Sequence, residues 1–255
     1  MSTLNKSLSQ INAENFLLRL KALQSQKERE KIKRYFKEVA DGDNGDDVFI
    51  GVGMGQVFTL AKEFVQMPLP EIEILLENSF HEARVGAVSI MDFQARNKKT
   101  SEVRRKELFT LYINRHDRIN NWDLVDRSAP YVVGGYLFDK SRDVLYRLAV
   151  SDNMWERRTA IVSTYYFIRQ NEVEDTFKIA EILVNDKQDL IHKATGGWLR
   201  EAGTKDRGRL LEFLDKYASN MPRTTLSYAI EHLDKTQKNY YLGLKKLELS
   251  KEKSI

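Results

Sequence analysis

The sequence contains no cysteine, which excludes a disulfide framework and any thiolate metal site. No apolar run approaches the roughly 20 residues that a membrane span needs. From Met1 to Phe16 small, polar and apolar residues alternate, without the apolar stretch of a signal peptide. The expected address is therefore the cytoplasm. The phosphate loop GxxxxGK[ST], the GxSxG elbow and the HExxH zinc helix are all missing. Four histidines, His81, His116, His192 and His232, lie far apart without metal-ligand spacing, and each reads as a surface or capping residue. Prolines are few: Pro68, Pro70, Pro130 and Pro222 all fall at segment junctions, where a missing N–H costs little.

What is present describes an ordinary globular chain, 42% hydrophobic and 31% charged. Its 255 residues suffice for one domain or one continuous solenoid. A net charge of +4 does not identify a partner, but its distribution is uneven. Lys27, Arg29, Lys31, Lys33, Arg34 and Lys37 form one cluster, Arg96, Lys98, Lys99, Arg104, Arg105 and Lys106 a second, and Arg200, Lys205, Arg207 and Arg209 a third. Each alone is the solvated face of an amphipathic helix; together they suit a surface that tracks phosphates.

Periodicity is helical nearly throughout, as in Leu210, Leu211, Leu214 and Tyr217, or Leu108, Leu111 and Tyr112. The spacing predicts helices over 12–25, 28–40, 56–66, 69–78, 80–96, 101–114, 120–137 (broken at Pro130), 139–150, 153–168, 173–185, 187–202, 205–219, 222–233 and 235–247. Start signals include Asn153 three residues before Glu156 as a capping box, and Thr204 before Asp206. Only Val48 to Gly53 is ambiguous, and its glycines suggest a helix start or loop. Asp41 to Asp47 resembles a calcium loop, but its twelfth position is Val52 instead of glutamate, so a connector is expected.

A weak internal echo also runs through the chain. Segments near Glu82-Ala83-Arg84, Glu156-Arg157-Arg158, His192-Lys193 and Pro222-Arg223 each open an apolar helix on a basic residue. Their spacing, near 30 to 37 residues, is that of HEAT and armadillo helix pairs, which bury their apolar faces only by stacking. The expected fold is all-α, a HEAT-like superhelix with a concave binding face. One domain is expected over 1–247, with a flexible tail over 248–255.

One stretch carries possible chemistry, Asn120-Asn121-Trp122-Asp123-Leu124-Val125-Asp126. Trp122 and Asp126 are four residues apart and share a helix face. The plain reading is a half-buried indole and an acidic residue complementing the helix dipole. The sharper reading is an indole beside a working carboxylate.

Those residues, with Ser151 to Arg158 and His192 to Glu201, resemble the AlkD family of DNA alkylation repair proteins, HEAT-like glycosylases that release cationic alkylated purines such as 3-methyladenine and 7-methylguanine. The resemblance runs from about Tyr35 to about Leu247 and is strongest between Trp122 and Glu201. It implies that Asp126 is the catalytic carboxylate, that Trp122 lies against DNA beside the lesion, that Arg158 grips a phosphate and that Tyr35 completes the cleft. It further implies a cleft that engages the backbone and leaves the base largely stacked. Double-stranded DNA carrying alkylated bases is the implied partner, met by a monomer without metal or cofactor.

The sequence departs from this pattern at Gly197, where the family carries its second cleft tryptophan. Here tryptophan comes one place later, at Trp198, and one residue is about 100° of helix rotation. Asp41 to Asp47 also departs from the shorter family loop. These differences support an alternative, a HEAT-like module that binds damaged or structured DNA without cleaving it; an acidic concave face would instead favour a protein-interaction solenoid.

Overall fold

The structure, a computed structural model, describes residues 11–39 and 47–252. The described chain is all-α, and it divides into two compact units, Met1–Tyr136 and Leu137–Ile255. The calcium-loop question over Asp41 to Asp46 lies outside the described residues.

In the first unit the helices are α1 (Ala13–Ala22), α2 (Gln26–Val39), α3 (Met54–Glu63), α4 (Leu69–Leu76), α5 (His81–Arg96), α6 (Glu102–Asn114) and α7 (Trp122–Ala129). The centre is α5, against which α3, α4 and α7 all pack. Val85, Val88, Ile90 and Met91 of α5 are buried, each contributing about 1.5–3 kcal/mol by leaving water. Phe16 of α1 reaches this core, edge-on to Phe64 at 5.2 Å. The helix is buried on nearly every face, and its charged residues Glu82, Arg84 and Asp92 are buried with the rest.

The ambiguous Val48 to Gly53 stretch is a loop leading to a helix, as its glycines suggest. Val48 makes one isolated parallel bridge to Phe80, and Gly53 precedes the first turn of α3. The carboxylate of Glu82 accepts from the backbone N–H groups of Ile50, Gly51 and Val52 at 3.1, 2.8 and 3.2 Å. Gly51 has φ +87° and lies so close to Ser25 and Arg29 that a side chain has no room. This loop thereby ties the start of α2 to the start of α5.

Pro130 does not break the chain after α7. A π-helical turn, Pro130–Gly134, follows directly and passes into Gly135–Leu137. Proline brings no N–H to the carbonyl four residues back, that of Asp126. The helix accommodates the missing bond by widening for one turn, with Gly135 N–H donating to the Pro130 carbonyl.

The second unit contains α8 (Asp143–Ala149), α9 (Met154–Arg169), α10 (Glu174–Leu183), α11 (Asp189–Gly203), α12 (Arg207–Tyr217), α13 (Arg223–Ala229) and α14 (Lys235–Glu252). Here α9 packs on α11 and α11 on α13, while α8, α10 and α12 each join this row. The echo in the sequence falls on the start of α5 in the first unit and on the starts of α9, α11 and α13 in the second. Asn153 caps α9, its Oδ1 accepting from Trp155 N–H at 2.9 Å. Asp206, not Thr204, caps α12, accepting from Arg209 N–H at 2.9 Å. Thr204 instead closes the end of α11.

Candidate active site

The site begins with how α7 starts. Asn121 has extended backbone (φ −146°, ψ 153°), and its Oδ1 accepts from Trp122 N–H at 2.8 Å, an N-cap that fixes the first turn. Leu124, Val125, Ser128 and Ala129 turn inward. Helical geometry then leaves Trp122 and Asp126 together on the other side.

That side borders a cleft of about 740 Å³ within the first unit, the size of a small-ligand pocket. Trp122, Asp123, Asp126 and Arg127 come from α7, Met54 and Phe58 from α3, and Ile32, Arg34 and Tyr35 from α2. Trp122 also packs against a small core of Ile32 and Phe49. Tyr35, 51% exposed, meets Trp122 edge-on with ring centroids 6.0 Å apart, a favoured aromatic geometry. The structure thus brings together three residues singled out in the sequence, Trp122, Asp126 and Tyr35.

Arg127 was not among them. Its guanidinium stands 4.7 Å from the ring centroids of both Phe58 and Phe93. It pairs with Asp92 at 3.1 Å, and Nε donates to Ser89 Oγ at 3.2 Å. Arg96 shares the same carboxylate, Nε donating at 2.8 Å to both oxygens, and stacks 3.7 Å over Tyr131. Burial pushes the Asp92 carboxyl above its ordinary range, opposed by Arg127 and Arg96. The same burial lowers the Arg127 guanidinium, opposed by Asp92. A rigid cation therefore borders the cleft beside Asp126. No spacing rule signals it, because Phe58, Ser89, Asp92 and Phe93 come from other helices.

Two further candidates lie in the second unit. Arg158, on α9, is 6% exposed and donates through Nη1 to the Leu190 carbonyl. Trp198, on α11, donates from Nε1 to the Val162 carbonyl at 3.0 Å and lies 5.5 Å from the Tyr165 ring. It joins the packing of α9 on α11. Gly197 differs: a Cβ placed there meets nothing within 4 Å, whereas one on Gly196 strikes Thr225 and Tyr228 of α13.

The basic clusters have unequal surroundings. Lys31 and Arg34 of the first border the cleft. In the second, Arg104 donates to Gln94 and the Met67 carbonyl, and Arg105 to the carbonyls of Asn97 and Thr100. In the third, Arg200 pairs with Glu201 and Glu231, Arg207 with Asp234, and Arg209 with Glu174 and Glu212. These carbonyls and carboxylates compete with phosphate for the same donors.

His81 and His116 are both buried, so neither is a surface residue, but His116 fits the capping reading, its Nδ1 lying 3.1 Å from the Ile113 carbonyl in the last turn of α6. Nδ1 of His81 lies 2.8 Å from Asp47 Oδ2, and Nε2 lies 2.8 Å from Asp123 Oδ2. Both carboxylates come from other parts of the chain, which is why local sequence gave no sign of a buried imidazole. His116 packs edge-on against Tyr112 at 5.3 Å.

The family model described as DNA alkylation repair enzyme matches residues 16–233. A solved structure from Enterococcus faecalis, described as a predicted DNA alkylation repair enzyme, is similar in fold. It has a TM-score of 0.68 and 16% identity, and the match covers 83% of this chain and 97% of that one. No curated protein matches the chain.

Proposed function

This chain belongs to the family of DNA alkylation repair enzymes, and we propose from that premise that it is a glycosylase releasing cationic alkylated purines from duplex DNA. The observation that carries the proposal is the shared cleft of Trp122, Asp126 and Tyr35. A carboxylate beside aromatic walls suits a reaction whose transition state is cationic.

A purine alkylated at N3 or N7 is already positively charged. When the C1′–N bond breaks, the electron pair goes to the base, which leaves neutral without needing a general acid. Positive charge then develops on the deoxyribose as oxocarbenium character. In this mechanism Asp126 faces that charge as a fixed anion and orients the water that adds to C1′. The water's proton is released to solvent or to the carboxylate. Trp122 and Tyr35 supply cation–π attraction and exclude water. Arg158 holds a phosphate, and Trp198 stands as the second DNA-facing indole. The partner is double-stranded DNA with alkylated bases, met by a cytoplasmic monomer with no metal or cofactor. No described helix is long and apolar enough to cross a membrane.

A second reading, a module that binds damaged DNA without excision, is favoured by one observation. The indole of Trp198 is engaged with Val162 and Tyr165, while the space beside Gly197 carries no side chain. Release of labelled 3-methyladenine and 7-methylguanine from methylated duplex, beside a no-enzyme control, separates the two. Release above the control supports the glycosylase; DNA binding without release replaces it with the binding module.

A further inference from the structure

Resting on the glycosylase reading for its catalytic consequence, we propose that His81 is a positioning residue, a doubly donating imidazolium that locks the first turn of α7 to the loop at 47–52. Both ring nitrogens face carboxylate oxygens at 2.8 Å. A neutral imidazole has a single N–H, so its other nitrogen would set a lone pair against a carboxylate. Two N–H donors satisfy both contacts.

Charge balance points the same way. Asp47 and Asp123 bring two negative charges, and Arg84, ion-paired with Asp47, brings one positive charge. Burial and the neighbouring Arg118 lower the Arg84 guanidinium to about 10, so Arg84 is a costly place to hold that charge. An imidazolium at His81 makes the group neutral. Asp123 Oδ1 is buried without a hydrogen-bond partner among the described residues, so His81 supplies that carboxylate with a hydrogen bond through its other oxygen while Arg84 adds charge attraction. Glu82, the next acid along α5, is occupied by the three backbone N–H groups of the loop. The Phe49 ring, 4.9 Å from the imidazole, covers it from the apolar side.

Two routes lead from His81 to the site. One runs directly to Asp123, beside Trp122. The other runs through Asp47, whose Oδ2 also accepts from Asn121 Nδ2 at 2.9 Å. That contact orients the Asn121 amide so that its oxygen caps Trp122. His81 touches neither the cleft aromatics nor Asp126; it fixes the helix end that carries them. A shift of about 1 Å in such groups costs up to about a hundredfold in rate.

The test is nitrogen-15 NMR of the histidine rings and tryptophan indoles in the full chain. Both His81 ring nitrogens are expected to carry a proton in the folded chain, assigned by their loss in His81→Gln. That variant, whose amide donates to one carboxylate only, should shift the Trp122 indole signal and leave Trp198 in place. Single-turnover excision should fall roughly tenfold to a hundredfold, with affinity for undamaged duplex unchanged within about twofold, since no phosphate contact is altered. If His81→Gln does not fold, Asp123→Asn replaces it and should move the Trp122 signal in the same way. A singly protonated His81 ring, or a Trp122 signal indifferent to the substitution, overturns the proposal. If wild type excises nothing but the spectra behave as expected, the glycosylase reading falls and the lock stands.

Discussion

Asp126 stands one helical turn from Trp122 on α7, and both side chains border the same cleft. The pair is a consequence of 3.6 residues per turn together with the inward packing of Leu124, Val125, Ser128 and Ala129. Asp126→Asn keeps the shape and removes the charge. Excision of 7-methylguanine should slow by roughly a hundredfold or more, while affinity for undamaged duplex holds or rises slightly as a negative charge leaves the DNA surface. Equal excision by wild type and variant would show that the carboxylate is elsewhere.

Arg158 carries two separable effects. Its 6% exposure and its bond to the Leu190 carbonyl predict that Arg158→Ala destabilises the protein by about 1–3 kcal/mol, because a buried acceptor loses its donor. As a phosphate contact, it should also lower the slope of log affinity against log salt by about one. Denaturant melts read the first and salt titrations of duplex binding the second. An unchanged slope removes Arg158 from the DNA interface, whatever the melt shows.

The neighbouring glycines of α11 should respond in opposite ways. Gly196→Ala drives a methyl into Thr225 and Tyr228 and should cost about 1–3 kcal/mol by overpacking. Gly197→Ala adds a methyl that meets nothing within 4 Å and should leave the melting temperature nearly unchanged. If wild type binds but does not excise, recovered release in Gly197→Trp identifies the missing indole as the cause. A Gly197→Ala protein that melts earlier than Gly196→Ala contradicts the packing described for α11.

Asp92 sets a pH dependence with a defined sign. Burial raises its folded value, so the folded state holds this proton more tightly than the unfolded chain. The associated stability is present below the ordinary carboxylate range and is lost as pH rises through the raised folded value. Wild type should therefore lose stability relative to Asp92→Asn as pH rises from the ordinary carboxylate range through the raised folded value. Melting curves of both proteins over that range test it, and a wild type that gains on the variant with rising pH reverses the sign.

The sequence by itself determined the helices and the pairing of Trp122 with Asp126. Apolar residues at three- and four-residue spacing are a local signal, and two residues four apart share a helix face whatever surrounds them. The echo fell on helix starts for the same reason, since each of those helices must present an apolar stripe to its neighbours. Only the tertiary structure decided what surrounds that pair: Tyr35 arrives from α2 and Phe58 from α3, and Asp92 of α5 holds Arg127 beside them. It alone buried His81, because the acids at Asp47 and Asp123 that hold the imidazole are far from it in the chain. It also set two neighbours on α11 apart: the half-buried Trp198 indole donates to the Val162 carbonyl of α9, while a Cβ on Gly197 meets nothing within 4 Å.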